Sequence, residues 1–226
     1  MKKPHLHNNF AFLLAGLLFL FALPPALLLY FGESAEGQLM RVLLLIGYSL
    51  FTLISVWSLY RERWIFKFGL GLAAITIAIA VASLFVEHRA LEILAVFLVI
   101  TFSALSCYIV ARQVFSLRDT NANSLIGAVC VYMLLGLIWC LLYTLLLALL
   151  PPGAFQGLSA NTNATQFDGL LYFSFVTLTT AGYGDILPVH PLARTLAYLE
   201  MITGQFYMAI LVSGLVAHFM GLRMTR

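Results

Sequence analysis

The sequence contains few charged residues. Only 9% of its 226 residues are Asp, Glu, Lys or Arg, whereas 62% are apolar. A soluble domain needs a polar exterior, and this chain has too little charge to cover one. The composition therefore predicts a polytopic membrane protein embedded in a lipid bilayer.

Several other features are absent, and each absence narrows the function. The few Lys and Arg residues form no cluster of the kind that binds nucleic acid. No paired carboxylates or metal-spaced histidines occur, so we do not expect an enzyme or a cofactor. All three cysteines lie inside apolar runs, which predicts buried small side chains rather than disulfides or metal ligands. They are Cys107, Cys130 and Cys140.

Long apolar runs dominate what remains. A helix that crosses the ~30 Å hydrocarbon layer needs about 20 mostly apolar residues. Six runs meet this length: Phe10–Phe31, Leu39–Tyr60, Phe68–Val86, Leu91–Val110, Ser124–Leu150 and Leu192–Met220. A shorter run, Phe167–Leu178, precedes glycine-rich sequence and predicts a re-entrant segment between helices five and six. The predicted fold class is an all-α membrane protein with six transmembrane helices.

The basic residues support one orientation in the membrane. If the N-terminus is cytoplasmic, nine of the 12 Lys and Arg residues fall inside, and only Arg41, Arg89 and Arg194 fall outside. This distribution follows the positive-inside rule and predicts that both termini are cytoplasmic. The run Phe10–Phe31 also resembles a signal peptide, with residues 1–25 as the removed part, although Pro24-Pro25 interrupts it. The charge pattern does not choose between a retained helix and a cleaved signal.

The residues after the short run have a distinctive pattern, Thr180-Ala181-Gly182-Tyr183-Gly184. A cation that enters a membrane must exchange its hydration shell for other oxygens, and backbone carbonyls can supply them. Successive carbonyls face one axis only if alternate residues adopt unusual dihedrals, which glycine permits. We expect the Tyr183 side chain to point away from the axis and pack behind the segment. One chain lines one side of such a cage, so four chains must surround the axis.

This segment resembles the potassium-channel filter, whose usual sequence is Thr-Val-Gly-Tyr-Gly-Asp. The resemblance implies that Thr180, Ala181, Gly182 and Tyr183 coordinate K⁺ as the permeant ion, with the Thr180 hydroxyl at the innermost site. It also implies a pore module of outer helix, pore helix, filter and inner helix over residues 119–226. Residues 1–118 then form a four-helix N-terminal membrane region. The implied protein is a homotetrameric potassium channel of bacterial type in the inner (plasma) membrane.

The predicted pore helix carries further candidate residues. We expect its carbonyl end, near Leu178 and Thr179, to face a central cavity, where the helix dipole favours a cation. Asp168 lies near the predicted start and suits either the helix dipole or a capping role. Tyr172 could hydrogen-bond Asp185 behind the filter, as an aromatic residue does in the family, or it could be an interfacial tyrosine. Thr179, Asp185 and Tyr172 are therefore candidate filter supports.

The last helix contains a candidate hinge and a candidate cavity lining. Gly204 lies 20 residues after Gly184, where the family has its hinge glycine, but close helix packing is an alternative role. Gln205, Met208 and Val212 follow at roughly helical spacing, with Val216 beyond them, and could line the cavity and the inner gate.

Glu200 is an ionisable residue deep within the last apolar run. Such groups are costly in lipid and usually face a partner. We expect it to face the back of the pore helix, where the hydroxyl of Thr177 or Thr179 satisfies it. A role as a pH sensor is the alternative.

The fourth apolar run contains no Lys or Arg, unlike the arginine-bearing helix of voltage-gated channels. We therefore expect a channel that is not gated by voltage in that way, and no soluble regulatory domain in this chain. Two rival interpretations are a potassium transporter component and a non-conducting or regulatory pore-like subunit.

Overall fold

The computed structural model describes residues 10–31, 42, 46–52, 63–85, 88–116, 122–150, 153–158 and 163–224. Within these residues the chain is mostly helical, as predicted. Two short strands, β1 (Phe155–Gln156) and β2 (Leu187–Pro188), join the helices. The helices are α1 (Phe10–Phe31), α2 (Arg63–Phe85), α3 (Arg89–Ser116), α4 (Ala122–Leu149), α5 (Asn163–Leu178) and α6 (Pro191–Met224).

These helices overlap five of the six predicted spans and the short predicted run. Helix α1 has the predicted bounds and continues through Pro24 and Pro25. The predicted span Leu39–Tyr60 lies largely outside the described residues, of which 42 and 46–52 are helical. Three described helices are long and apolar enough to cross a membrane, at Phe10–Leu27, Arg89–Val114 and Asn123–Leu149. Six crossings therefore remain a prediction.

The chain divides into two compact units, Met1–Val131 and Tyr132–Arg226. The division lies within α4, whereas the sequence placed the pore module from residue 119 onward. In the first unit, α2 packs against α3. In the second unit, α5 packs against α6.

The start of α1 contacts α4 within the first unit. The Phe10 N–H donates to Oδ1 of Asn123 at 3.2 Å, and Cys130 Sγ lies 3.6 Å from the Phe10 carbonyl oxygen. A Cβ on Gly127 would lie only 2.9 Å from the Phe10 ring, so the glycine permits this close approach. All three cysteines are buried, which confirms the predicted burial.

In the second unit, the loop after α4 returns to the segment after α5. Strands β1 and β2 pair antiparallel, with Phe155 opposite Pro188 and Gln156 opposite Leu187. The Val189 N–H extends the pairing by donating to the Ala154 carbonyl at 2.9 Å. This pairing ties the loop between α4 and α5, which is the outer loop in the predicted topology, to the residues that follow the candidate filter.

Candidate functional site

The end of α5 fixes the start of the glycine-rich segment. The helix ends at Leu178, and its last carbonyls accept hydrogen bonds from the residues that follow. The Thr180 N–H donates to the Thr177 carbonyl and the Ala181 N–H donates to the Val176 carbonyl, both at 2.9 Å. These bonds satisfy carbonyls that a helix end leaves unpaired. They also hold the first residues of the segment against the helix that precedes it.

Along this segment, the sign of the backbone φ angle alternates from one residue to the next. Thr180, Gly182 and Gly184 have positive φ angles of 59°, 58° and 81°, whereas Ala181 and Tyr183, between them, do not. A regular strand points successive carbonyls to opposite sides, but this alternation lets them face the same side. Thr180 bears the cost, because left-handed φ is strained for a residue with a Cβ. The geometry suits a row of oxygens that replaces the hydration shell of an ion.

The side chain of Tyr183 is not packed within one chain. Residues 179–185 are all exposed, and Tyr183 exposes 74% of its surface. Its ring lies parallel to the Tyr172 ring, with centroids 6.5 Å apart. The expected packing of Tyr183 behind the segment is therefore limited, within this chain, to its contact with the Tyr172 ring.

Tyr172 forms the hydrogen bond that the sequence suggested. Its hydroxyl donates to Oδ2 of Asp185 at 2.7 Å. This bond favours the charged carboxylate and holds the pKa of Asp185 below its ordinary value. The contact ties the residue after the last filter glycine to the middle of α5.

The outer loop contacts the same region, which the sequence did not predict. Gly157 has a φ of +80°, and a Cβ there would collide with the Asp185 carbonyl oxygen. Only glycine permits both the backbone angle and this close approach. The signal in the sequence was the glycine itself, but nothing in the sequence identified its partner.

The expected capping role of Asp168 is wrong. Helix α5 begins at Asn163, four residues before the predicted start, so Asp168 lies in the second turn and not at the cap. It is half-buried there, and burial raises the pKa of its carboxyl. Residues 163–166, three of which are polar, belong to the helix although they extend no apolar run.

Glu200 faces α5 as expected, but its predicted partners are wrong. The residue is fully buried, and its carboxyl contacts Ser174 and Tyr143 instead of Thr177 or Thr179. The Tyr143 hydroxyl donates to Oε2 at 2.6 Å, and Ser174 Oγ lies 2.5 Å from Oε1. Ser174 lies about one turn before Thr177, so the two helices meet at a different level from the one expected.

The Ser174 hydroxyl also connects to α4, at 2.8 Å from the Gly136 carbonyl oxygen. Phe155 and Phe173 surround the Tyr143 ring edge-on, with centroid distances of 5.6 and 5.2 Å. Sequence reasoning missed both Tyr143 and Ser174. A tyrosine and a serine inside apolar helices gave no sign of a shared partner.

Gly204 packs closely against the end of α5. A Cβ at this position would collide with the carbonyl oxygen of Leu178. The alternative role of close helix packing thus has direct geometric support. The hinge role of Gly204 stays a prediction.

The next residue of α6 reaches the candidate filter. Gln205 Nε2 donates to Oγ1 of Thr180 at 3.0 Å. Met208, one turn later, is exposed at 46%. The side chains of Val212 and Val216 lie outside the described residues.

Comparisons with known proteins point to channels. Residues 125–220 match a family model described as "Ion channel". The chain is 37% identical over 59 residues to the inward rectifier potassium channel Kirbac3.1 of Paramagnetospirillum magnetotacticum, which covers 26% of this chain and 20% of that protein. It is 36% identical over 72 residues to two pore potassium channel c of Oryza sativa subsp. japonica. That match covers 32% of this chain and 15% of that protein.

A third relative is two-pore potassium channel 4 of Arabidopsis thaliana, 32% identical over 69 residues, which covers 30% of this chain and 24% of that protein. The matched part spans a quarter or less of the length of these relatives. No solved structure matches this chain significantly. The matched family is a family of ion channels and not of enzymes, as the sequence predicted. The match contains the alternating segment and the helices on either side of it.

Proposed function

We propose that this chain is a subunit of a potassium-selective channel that conducts K⁺ passively as a homotetramer. In this proposal the carbonyls of Thr180, Ala181, Gly182 and Tyr183 coordinate the ion, together with the Thr180 hydroxyl. Gly184 and Asp185 complete the outer end. The ion is the transported species, and no other cofactor is needed.

The alternating backbone carries the proposal. Three positive φ angles occur at every second residue directly after α5, and two of the three are at glycine. Packing within the chain explains neither glycine, because a Cβ on Gly182 or Gly184 would meet nothing within 4 Å. Ion-coordinating carbonyl rows need this backbone, and four such rows surround one axis. A closed ring of identical chains is the symmetric way to supply them.

The membrane arrangement follows the predicted topology. Helix α5 has 16 residues and a length of about 24 Å, which is too short to cross a ~30 Å layer. It enters and returns from the outer side, between the fifth and sixth of six spanning helices. Both termini are cytoplasmic, in a bacterial inner membrane. Residues 1–118 form the N-terminal region, and residues 119–226 form the pore module.

Gating does not depend on an arginine-bearing fourth helix in this proposal. The span Leu91–Val110 has no Lys or Arg to move in the membrane field. Gly204 and Gln205 lie where α6 passes the proposed filter. Together with the predicted cavity residues Met208 and Val212, they are the candidate moving parts.

Flux in liposomes tests the proposal. The purified protein is reconstituted with a K⁺ gradient, and K⁺ uptake is compared with Na⁺ uptake at the same gradient. We expect selective K⁺ flux and a particle mass of four chains. A protein of one-chain mass that moves no K⁺ under any pH, voltage or lipid tension tried would contradict the proposal.

A matched variant tests whether the flux uses this segment. Gly182→Ala strains a left-handed position of the proposed filter, whereas Gly153→Ala strains a left-handed position in the outer loop, where a Cβ would also meet nothing within 4 Å. Loss of flux in the first variant alone assigns conduction to the filter. Equal loss in both variants would indicate misfolding and would remove the support for a filter.

A further inference from the structure

Gln205 contacts the candidate filter through a side chain. Its Nε2 donates to Oγ1 of Thr180 at 3.0 Å, and the two residues are 25 positions apart in the chain. Both side chains are exposed in the single chain, so each of them could have bonded to water instead of to the other. The amide reaches the hydroxyl across the junction between α6 and the base of the filter.

The backbone around Gln205 explains why the amide is within reach. Gly204 precedes it, and the α6 backbone approaches the Leu178 carbonyl there so closely that no Cβ would fit. Leu178 is the last residue of α5, two positions before Thr180. The packing that excludes a side chain at Gly204 therefore fixes the distance between Gln205 and Thr180.

Thr180 lies beyond the end of α5, and the hydrogen bond of its hydroxyl is made to Gln205 of α6. The neighbouring Thr179 hydroxyl donates to the Phe175 carbonyl at 2.7 Å and is thus used within α5. Thr180 has left-handed φ, which turns it out of the helical path. Its hydroxyl differs from the backbone carbonyls around it because it can rotate and carries a proton.

We propose that Gln205 is a positioning residue for the innermost ion site, and that its carboxamide sets the direction of the Thr180 hydroxyl. This inference rests on the proposed function. A hydroxyl binds a cation through a lone pair with its proton directed away, so an unrestrained hydroxyl can present the wrong end to the ion. A partner that accepts the hydroxyl proton removes this disorder.

A carboxamide is suited to this task because it has a donor end and an acceptor end. In the structure the amide nitrogen donates to the hydroxyl. When a cation occupies the site, half a turn of the amide presents its oxygen, which accepts the hydroxyl proton and leaves the lone pairs for the ion. Four copies around the axis then hold four hydroxyls in the same sense.

The binding of Ba²⁺ tests this role, because Ba²⁺ is close to K⁺ in size and has twice its charge. Ba²⁺ is applied from the cytoplasmic side to reconstituted channels carrying K⁺, and its apparent affinity is measured. Gln205→Leu should weaken block roughly fivefold, the effect of one lost hydrogen bond. Gln205→Asn keeps an amide at the same position in the chain, but its side chain is one methylene too short to reach Thr180. It should therefore weaken block to the same extent as Gln205→Leu.

A double-mutant cycle separates orientation of the hydroxyl from a general effect on the cavity. In a Thr180→Ala background, which has no hydroxyl, Gln205→Leu should cause no further change. If Thr180→Ala does not conduct, the same cycle is measured as the K⁺ concentration that protects the purified tetramer against heat. Thr180→Ser retains the hydroxyl and should retain the sensitivity to Gln205→Leu.

The outcomes distinguish this inference from the proposed function. A wild-type protein that neither conducts nor binds K⁺ would overturn both. If wild type conducts and Ba²⁺ blocks wild type and Gln205→Leu with equal affinity, the inference alone would be overturned. Wild-type block in Gln205→Asn, or an equal effect of Gln205→Leu with and without the Thr180 hydroxyl, would also overturn it.

Discussion

Two threonine side chains in α2 and α3 bond within their own helix. The hydroxyl of Thr76 in α2 donates to the Leu72 carbonyl at 2.8 Å, and that of Thr101 in α3 donates to the Phe97 carbonyl at 2.9 Å. Thr76 is fully buried, yet its partner lies one turn away in the same element. A threonine that bonds in this way satisfies its hydroxyl without a neighbouring helix.

Several polar side chains around the proposed filter bond between elements instead, although the Thr179 hydroxyl bonds within α5. Tyr143 and Ser174 meet at Glu200 from two different helices, and Gln205 reaches Thr180 across 25 residues. A helix that satisfies itself tolerates many packings in lipid, because apolar contacts have little direction. A row of coordinating oxygens tolerates few, since its position must be held in three dimensions. We therefore expect the filter region to be far more sensitive to the loss of single groups.

The largest effect is expected at Gly182. A Cβ in a left-handed conformation costs ~1–2 kcal/mol for each residue, and a tetramer contains four copies. Gly182→Ala should reduce K⁺ flux by roughly two orders of magnitude or more. The measurement is K⁺ uptake into liposomes at equal tetramer content. Flux within a factor of two of wild type would show that the alternating backbone is not required.

Removal of the Glu200 carboxyl should have the next largest effect. Glu200→Ala leaves the buried Tyr143 hydroxyl without its partner, which costs about 1–3 kcal/mol of unfolding free energy. The Ser174 hydroxyl can still donate to the Gly136 carbonyl. Glu200→Gln should be much milder, because the amide oxygen accepts from Tyr143. Its N–H can donate to Ser174, which frees the serine proton for the Gly136 carbonyl.

Thr76→Ala in α2 is the matched control for Glu200, as a buried polar group that bonds within its own helix. It should cost less than ~1 kcal/mol, since the Leu72 carbonyl keeps its helical bond. Thermal unfolding of the purified protein compares the three variants. Equal losses in Glu200→Ala and Thr76→Ala would remove the contrast between the two regions.

Two glycines of α6 distinguish close packing from flexibility. Gly204→Ala would force α6 away from the Leu178 carbonyl and should destabilise the protein by about 1–3 kcal/mol. Gly214→Ala meets nothing within 4 Å, and it should stabilise the helix by up to ~1 kcal/mol because alanine favours helix. Thermal unfolding gives the sign of each change. A stable Gly204→Ala protein with slowed gating would instead favour the hinge.

The smallest effect concerns pH and the outer end of the filter. The hydrogen bond from Tyr172 lowers the pKa of Asp185 in the folded protein, so its stabilising contribution is present at neutral pH and is lost as the pH falls through that lowered pKa. Tyr172→Phe should move this acid-induced loss to higher pH, towards the ordinary range of a carboxyl. K⁺-selective flux measured against external pH follows the change, with Tyr198→Phe as a control on the exposed surface of α6. Identical acid limbs in wild type and Tyr172→Phe would rule out a support role for this bond.

The extent of successful prediction differs between local and distant features. The helices were predictable because apolar runs of about 20 residues have few alternatives to a helix in a membrane. The bond between Tyr172 and Asp185 was accessible through a family resemblance. The partners of Glu200 were not, because helical spacing indicates which side a residue faces but not the level at which two helices meet. The β1–β2 pair was missed because two-residue strands are too short to show an alternating pattern.

The sequence alone determined the membrane class and the positions of the glycines in the proposed filter. Both follow from residue type alone. Apolar side chains favour lipid over water, and glycine has no Cβ to hinder a left-handed φ angle. Only the tertiary structure decided that Glu200 meets Ser174 and Tyr143, that Gly204 packs against Leu178 and that Gln205 reaches Thr180. These contacts join residues 25 to 57 positions apart. Their distances depend on how whole helices pack, which no single residue type specifies.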